Sequence, residues 1–232
     1  MIPRDEVHLW AQRLDVGADE LAGFAGLLSS DERERAARFR FDVHRNRYRV
    51  ARGRLREILG SYLGVKPAQV AFAYNAFGKP SLADAGAPLR FNVSHSGEVA
   101  VFGVTWGREI GVDVEEESRE RSQERIPESF FSPGEVRALR SLPMEEQNGA
   151  FFRCWTRKEA YVKALAEGLN IPLDSFDVSL LPGERAGFLR NGEGWSMASF
   201  RAEPGYAGAI VAAGEDWTWR VVDAGGLRVV GN

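Results

Sequence analysis

Cysteine and lysine are the scarce residues of this 232-residue chain. The one cysteine, Cys154, excludes an internal disulfide and fits a reducing cytoplasm. Of 30 basic residues only four are lysines, Lys66, Lys79, Lys158 and Lys163. In a chain so biased to arginine, two lysines in one short stretch suggest sites that want a compact ammonium rather than a planar fork. There is no run of about 18 apolar residues and no signal peptide, so the expectation is a soluble, unexported, cytoplasmic chain with no membrane partner. A formal net charge of −3 argues against bulk nucleic-acid binding, which shows as a strongly basic balance. Repeats, low-complexity tracts and obvious linkers are also missing. What is present is ordinary for a globular protein, and the length allows one large domain or two of about 100–120 residues.

The basic charge is uneven. Residues 31–57 hold ten arginines against five acids, near +5, which leaves the remainder near −8. Within that stretch Val43, Tyr48, Ala51, Leu55, Ile58, Leu59 and Tyr62 recur at helical spacing, predicting a long amphipathic helix closed by Gly64. Arg45, Arg47, Arg49, Arg52, Arg54 and Arg56 stud its other faces, as a solvated basic surface or as an anion site. Before it, residues 7–14 read as a strand and 19–28 as a short helix. A further helix start is signalled by Ser30 with Arg33, and by Asp31 with Glu34.

Residues 70–74 then read as a strand leading into the turn Phe77-Gly78-Lys79-Pro80. This turn is no P-loop, because Ala73 stands where the first glycine belongs and Pro80 where Ser or Thr belongs. Residues 89–93 and 99–106 make two more strands joined through Ser94-His95-Ser96-Gly97, whose neighbours do not form a nucleophile elbow. In the strand that follows, IGVDVE (110–115), Asp113 and Glu115 project to one side about 7 Å apart. Either a hard divalent cation such as Mg²⁺ separates them, or Glu115 begins the solvated run Glu115-Glu116-Glu117. Residues 118–125 read as a polar loop, 134–142 as a helix with Pro133 near its first position, and 176–180, 195–200, 207–213 and 217–222 as strands.

The stretch 151–169, FFRCWTRKEAYVKALAEGL, predicts a core-facing helix. At roughly 100° per residue, Phe151, Phe152, Trp155, Val162, Leu165, Ala166 and Leu169 share one arc. Lys158 and Glu159 fall inside that arc and Lys163 at its edge, one turn beyond Glu159. Burying such charges costs several kcal/mol unless each finds a partner, a ligand or a metal.

Taken together, FNVSHSG (91–97), IGVDVE (110–115), FFSPGE (130–135) and WTRKEAYVKALAEGL (155–169) resemble the Sfp-type 4′-phosphopantetheinyl transferases. FGKP (77–80) and the arginine-rich helix support the resemblance, which runs in family order over nearly the whole chain. One departure is visible: Ala166 replaces the first glycine of the usual K-A-x-G-x-G-L ending. The resemblance implies an α+β fold of two similar subdomains, 1–107 and 108–232, related by a pseudo-twofold with coenzyme A and Mg²⁺ at their junction. It implies transfer of the 4′-phosphopantetheinyl group from coenzyme A to a serine of an acyl- or peptidyl-carrier protein, releasing 3′,5′-ADP. Asp113, Glu115 and Glu159 match metal ligands, and Glu159 also a proton acceptor. Lys163 matches a pyrophosphate contact, and Lys158 a secondary electrostatic contributor. Lys79, Ser94, His95 and Arg47 match residues holding the nucleotide and its 3′-phosphate, with Arg33 and Arg35 as further phosphate contacts. The expected state is a monomer. A non-catalytic relative that binds coenzyme A or a carrier protein is the alternative.

Overall fold

The computed structural model describes residues 2–118, 126–166 and 171–231. Of the loop expected at 118–125 all but Ser118 lies outside the described residues, as does the motif end at 167–169, with Leu169.

Strand β1 (Glu6–Arg13) buries Val7, Leu9 and Ala11 on one face, as its alternation requires. Helices α1 (Ala18–Gly26), α2 (Ser30–Ala37) and α3 (Asp42–Leu63) follow. The start of α2 sits slightly ahead of the expected pairs: the Ser29 amide donates to Glu32 Oε2 at 2.9 Å. Strands β2 (Phe72–Tyr74) and β3 (Pro80–Leu82) form a small hairpin. Strands β4 (Leu89–Ser96), β5 (Val99–Trp106) and β6 (Ile110–Glu116) come next. Thus Ser94-His95-Ser96 belongs to β4 itself, and the turn to β5 begins at Gly97.

Beyond the undescribed loop lie α4 (Ile126–Phe130), α5 (Pro133–Arg140) and α6 (Met144–Leu165). Short strands β7 (Asp177–Val178) and β8 (Phe188–Arg190) precede β9 (Trp195–Glu203), β10 (Tyr206–Ala213), β11 (Thr218–Asp223) and β12 (Val230–Gly231).

Two four-stranded sheets result, ordered β11-β1-β5-β4 and β12-β9-β10-β6. The last long strand, β11, returns to pair in parallel with β1, so the second half supplies an edge to the first sheet. The sheets face one another across Leu9, Ala11, Val101, Val112, Ile210 and Ala212. On the outer face of the first sheet α3 packs Leu55, Ile58 and Leu59 against Phe91, Phe102 and Val104. On the outer face of the second, α6 packs Phe152, Ala160 and Ala164 against Ala209 and Val211. The layers therefore run helix, sheet, sheet, helix, an α+β architecture.

Two sequence expectations change here. The basic helix α3 is not simply solvated: Arg52 and Arg56 are buried and both donate through Nε to the carboxylate of Glu32, itself 1 % exposed. Glu32 is the counter-charge that lets two guanidiniums enter the core. Helix α6 begins at Met144, earlier than the predicted arc, and is buried nearly all round, from Ala150 to Ala164. Its polar Thr156, Arg157 and Lys158 are therefore interior residues.

Candidate functional site

The site forms where β4, the edge of one sheet, meets β6, the edge of the other. No backbone ladder joins these strands among the described residues; side chains do. The alternate residues Asn92, Ser94 and Ser96 of β4 accept the amides of Val112, Val114 and Glu116 at 2.9, 3.4 and 3.1 Å. Alternation places all three on one face and so on one seam. Over this seam α6 lies close to β6, because Gly111 has no side chain: a Cβ there would stand 1.9 Å from the Ala160 carbonyl oxygen. This contact brings Glu159 and Lys163 alongside Asp113 and Glu115.

Asp113 is 2 % exposed. Its Oδ1 accepts from Lys163 Nζ at 2.5 Å and from the Ser94 hydroxyl at 2.9 Å. Its Oδ2 is buried without a partner. Glu115, half-buried, accepts from the Ser96 hydroxyl at 2.9 Å. Lys163 thus reaches across to β6 for its ion pair, rather than along the helix to Glu159. Burial, then repulsion from Asp113, lifts the Glu159 carboxyl above its ordinary pKa, with Lys163 pulling the other way. Asp113 is also raised, by burial and by Glu115, against the pull of Lys163.

A cavity of about 280 Å³ opens above these groups, lined by Phe77, Lys79, Asn92, Glu159, Lys163 and Ala166 among others. The Phe77–Pro80 turn is anchored by Asn75, whose Oδ1 accepts the Phe77 and Lys79 amides and whose Nδ2 donates to the Ala166 carbonyl. Lys79 Nζ donates to the Lys163 carbonyl at 2.7 Å, so this ammonium caps the carboxyl end of α6. Burial lowers its pKa. Where the family pattern has glycine, Ala166 ends α6 in the left-handed region at φ 61°: the backbone keeps the conformation that glycine would favour.

The other predicted residues divide. Burial, with Lys163 and Arg47 adding to it, depresses the His95 pKa, so this side chain belongs to the same electrostatic cluster. Arg47 grips the Asp15 carboxylate with Nε and Nη2 at 2.7 and 2.5 Å. Arg35 lines a neighbouring cleft of about 790 Å³ with Arg38, Tyr48 and Tyr74, which shares Phe77 and Gly78 with the smaller cavity. Arg33 lines neither and turns to the Leu28 carbonyl.

Lys158 requires a correction. It is fully buried and spends its ammonium on Glu135 Oε2 at 2.8 Å and the Leu173 and Phe176 carbonyls at 2.6 and 2.7 Å. Lying one residue before Glu159, it points into the core of the second half. A larger cavity, about 1270 Å³, adjoins Arg153, Arg157 and Trp195 and includes none of the predicted residues. Chemistry, not size, identifies the site.

Sequence reasoning missed Asn75, Asn92 and Ser96. The one available signal was N-x-S-x-S, a period-two polar row in a strand that otherwise reads as core. The test of whether the site suits a cation is Asp113: a buried carboxylate oxygen with no partner, beside two further carboxylates and one ammonium, fits a hard divalent ion. Among the described residues, no group of three or more His, Cys, Asp or Glu is gathered as a ready metal centre.

Comparison with known proteins gives matches over both halves. The 4′-phosphopantetheinyl transferase superfamily matches residues 109–213, and the family described as 4′-phosphopantetheinyl transferase, N-terminal, matches 16–105. The chain is 43 % identical over 215 residues to the 4′-phosphopantetheinyl transferase HetI of Nostoc sp., covering 92 % of this chain and 90 % of that one. It is 31 % identical over 201 residues to the transferase ffp of Bacillus subtilis, at 86 % and 87 % coverage. Sfp of Bacillus subtilis strain 168 is 28 % identical over 201 residues, at 86 % and 88 %.

Proposed function

Because this chain belongs to the 4′-phosphopantetheinyl transferase superfamily, we propose that the seam between β4, β6 and α6 is where it binds coenzyme A and modifies a carrier protein. The enzyme moves the phosphopantetheinyl group of coenzyme A onto a carrier protein. The observation that supports this location is that Glu159 and Lys163 line one cavity while Lys163 bonds Asp113 beneath it, whose Oδ2 has no partner.

In our reading Asp113, Glu115 and Glu159 hold Mg²⁺, which when bound supplies positive charge against the pyrophosphate and lowers the cost of charge growing on the leaving group. Glu159 takes the proton of the carrier serine, directly or through a water, as that hydroxyl oxygen attacks the pantetheine-bearing phosphorus. The phosphorus–oxygen bond to 3′,5′-ADP breaks in the same displacement. Glu159 lines the cavity, so its carboxylate is within reach of a hydroxyl that enters there. Lys163 leaves Asp113 for the pyrophosphate oxygens and stabilises the developing charge. Lys79, Ser94, His95 and Arg47 border the nucleotide and its 3′-phosphate, with Arg35 as a further phosphate contact; Arg33, turned to the Leu28 carbonyl, takes no part.

We read the enzyme as a cytoplasmic monomer with no nucleic-acid or membrane partner, its halves divided near residues 107 and 108. No described helix is long and apolar enough to cross a membrane. Mass spectrometry of an apo carrier protein incubated with coenzyme A, with and without Mg²⁺, tests the reading. Metal-dependent gain of one phosphopantetheinyl mass on a serine is expected. Coenzyme A binding without any gain would leave a binding relative in its place.

A further inference from the structure

Ser94 and Ser96 do more than join two sheets. A hydroxyl has one proton and two lone pairs. Ser94 Oγ gives its proton to Asp113 Oδ1 at 2.9 Å and accepts from the Val114 amide and Lys163 Nζ at 3.4 and 2.9 Å, so its capacity is full. Two residues on, Ser96 repeats the pattern: its Oγ accepts the Glu116 amide at 3.1 Å and gives its proton to Glu115 Oε2 at 2.9 Å. Each serine is a clip that takes one amide of β6 and orients the carboxylate of the preceding residue. Asn92 continues the row toward the amino end, accepting the Val112 amide at 2.9 Å, but the residue before Val112 is Gly111, where α6 passes. The clip bears a carboxylate only at 113 and 115.

The two acids differ in length and in enclosure. Asp113 is enclosed, short and paired to Lys163. Glu115 is half-buried, has one more side-chain torsion and shares its surroundings with the charges of Asp113 and Glu159. Like charges favour a rotamer that carries Glu115 away toward water. The Ser96 proton opposes that drift, because the amide that fixes the hydroxyl belongs to the residue directly after Glu115.

We propose that Ser96 is a positioning residue for Glu115, holding its carboxylate beside Asp113 so that the pair meets a divalent cation already ordered. This rests on the reading of Asp113 and Glu115 as metal carboxylates. Outer hydrogen-bond partners of metal carboxylates typically change metal affinity by about 10–100-fold when removed.

The experiment titrates Mg²⁺ calorimetrically into wild type, Ser96→Ala, Ser96→Thr and Ser96→Cys, each saturated with coenzyme A, and follows exchange of the Glu116 amide in the metal-free proteins. Ser96→Ala should require about 10–100-fold more Mg²⁺ for half-saturation and exchange Glu116 faster. Its transfer rate at saturating Mg²⁺ should stay close to wild type, so the effect falls on metal dependence and not on turnover. Ser96→Thr keeps the hydroxyl and should bind Mg²⁺ like wild type. Ser96→Cys keeps the shape with a weak donor and should resemble Ser96→Ala, which leaves the idea testable if the alanine variant does not fold. Wild-type Mg²⁺ affinity in Ser96→Ala or Ser96→Cys would overturn the inference and leave the metal reading standing. A wild type that takes up no Mg²⁺ would overturn both, and that failure is recognised in the unmutated enzyme.

Discussion

Replacing Lys158 with methionine separates a catalytic from a structural lysine. The methionine stem fills the same volume but removes an ammonium that bonds Glu135 and the carbonyls of Leu173 and Phe176, all within 2.8 Å. Glu135, 3 % exposed, keeps the Ser132 and Val178 amides but becomes a buried charge without its cation. Removing one partner of such a pair costs about 3–5 kcal/mol. For a chain of this length each kcal/mol lowers Tm by about 2–4 °C, so a fall of about 6–20 °C is expected. Transfer assayed well below that transition should stay near wild type, since Lys158 touches neither the cavity nor Asp113. In Lys158→Met with Glu135→Met, the paired charges are replaced together and part of the loss should return. Recovery is incomplete because Glu135 also serves two amides. Calorimetric melting beside a carrier-modification assay measures both quantities. A Lys158→Met protein that melts like wild type and has lost transfer would refute this account and restore the lysine to catalysis.

Four further outcomes are expected. Ala166→Gly relieves a left-handed alanine, worth about 1–2 kcal/mol, against an unfolded-chain entropy of about 0.4–1 kcal/mol, so denaturant titration should show a net gain of about 0.5–1 kcal/mol. Glu159→Gln should make the metal-free protein more stable at neutral pH, since it deletes a half-buried carboxylate repelled by Asp113 and Glu115, yet slow transfer by about 10²-fold or more; a less stable but active variant would contradict the base assignment. Glu32→Gln leaves Arg52 and Arg56 buried without their carboxylate and should cost about 3–5 kcal/mol by denaturant titration. His8 is buried against Tyr62, and burial, then Arg220, depresses its pKa, so the native state favours the neutral ring. Its share of stability should be complete above about pH 6.5 and decline as pH falls toward the lower folded value, a slope that His8→Asn should flatten in melting curves.

Much of this protein is legible in order along its sequence. Alternation gave β1, short apolar runs gave β5, β6 and β10, which are buried on both faces, and period 3.6 gave α3, because each element must place its apolar residues where it meets the core. The paired acids of β6 and the charged residues inside an apolar helix arc were visible as violations of that pattern, and such violations are where function tends to sit. Short strands β3, β8 and β12 escaped, since two or three residues carry no period.

What periodicity could not decide was the partner of each charge. On the arc, Lys158 and Lys163 look alike, but the helix turns one into a core of carbonyls and Glu135 and the other toward Asp113. The arginines of α3 look like one solvated face, yet a glutamate on a different helix draws two of them inside. Asn92, Ser94 and Ser96 look like an interrupted strand until β6, from the other sheet, arrives beside them. A sequence fixes which residues share a face through local geometry alone, whereas a charge is satisfied by whatever lies within about 3 Å, and that neighbour comes from elsewhere in the chain.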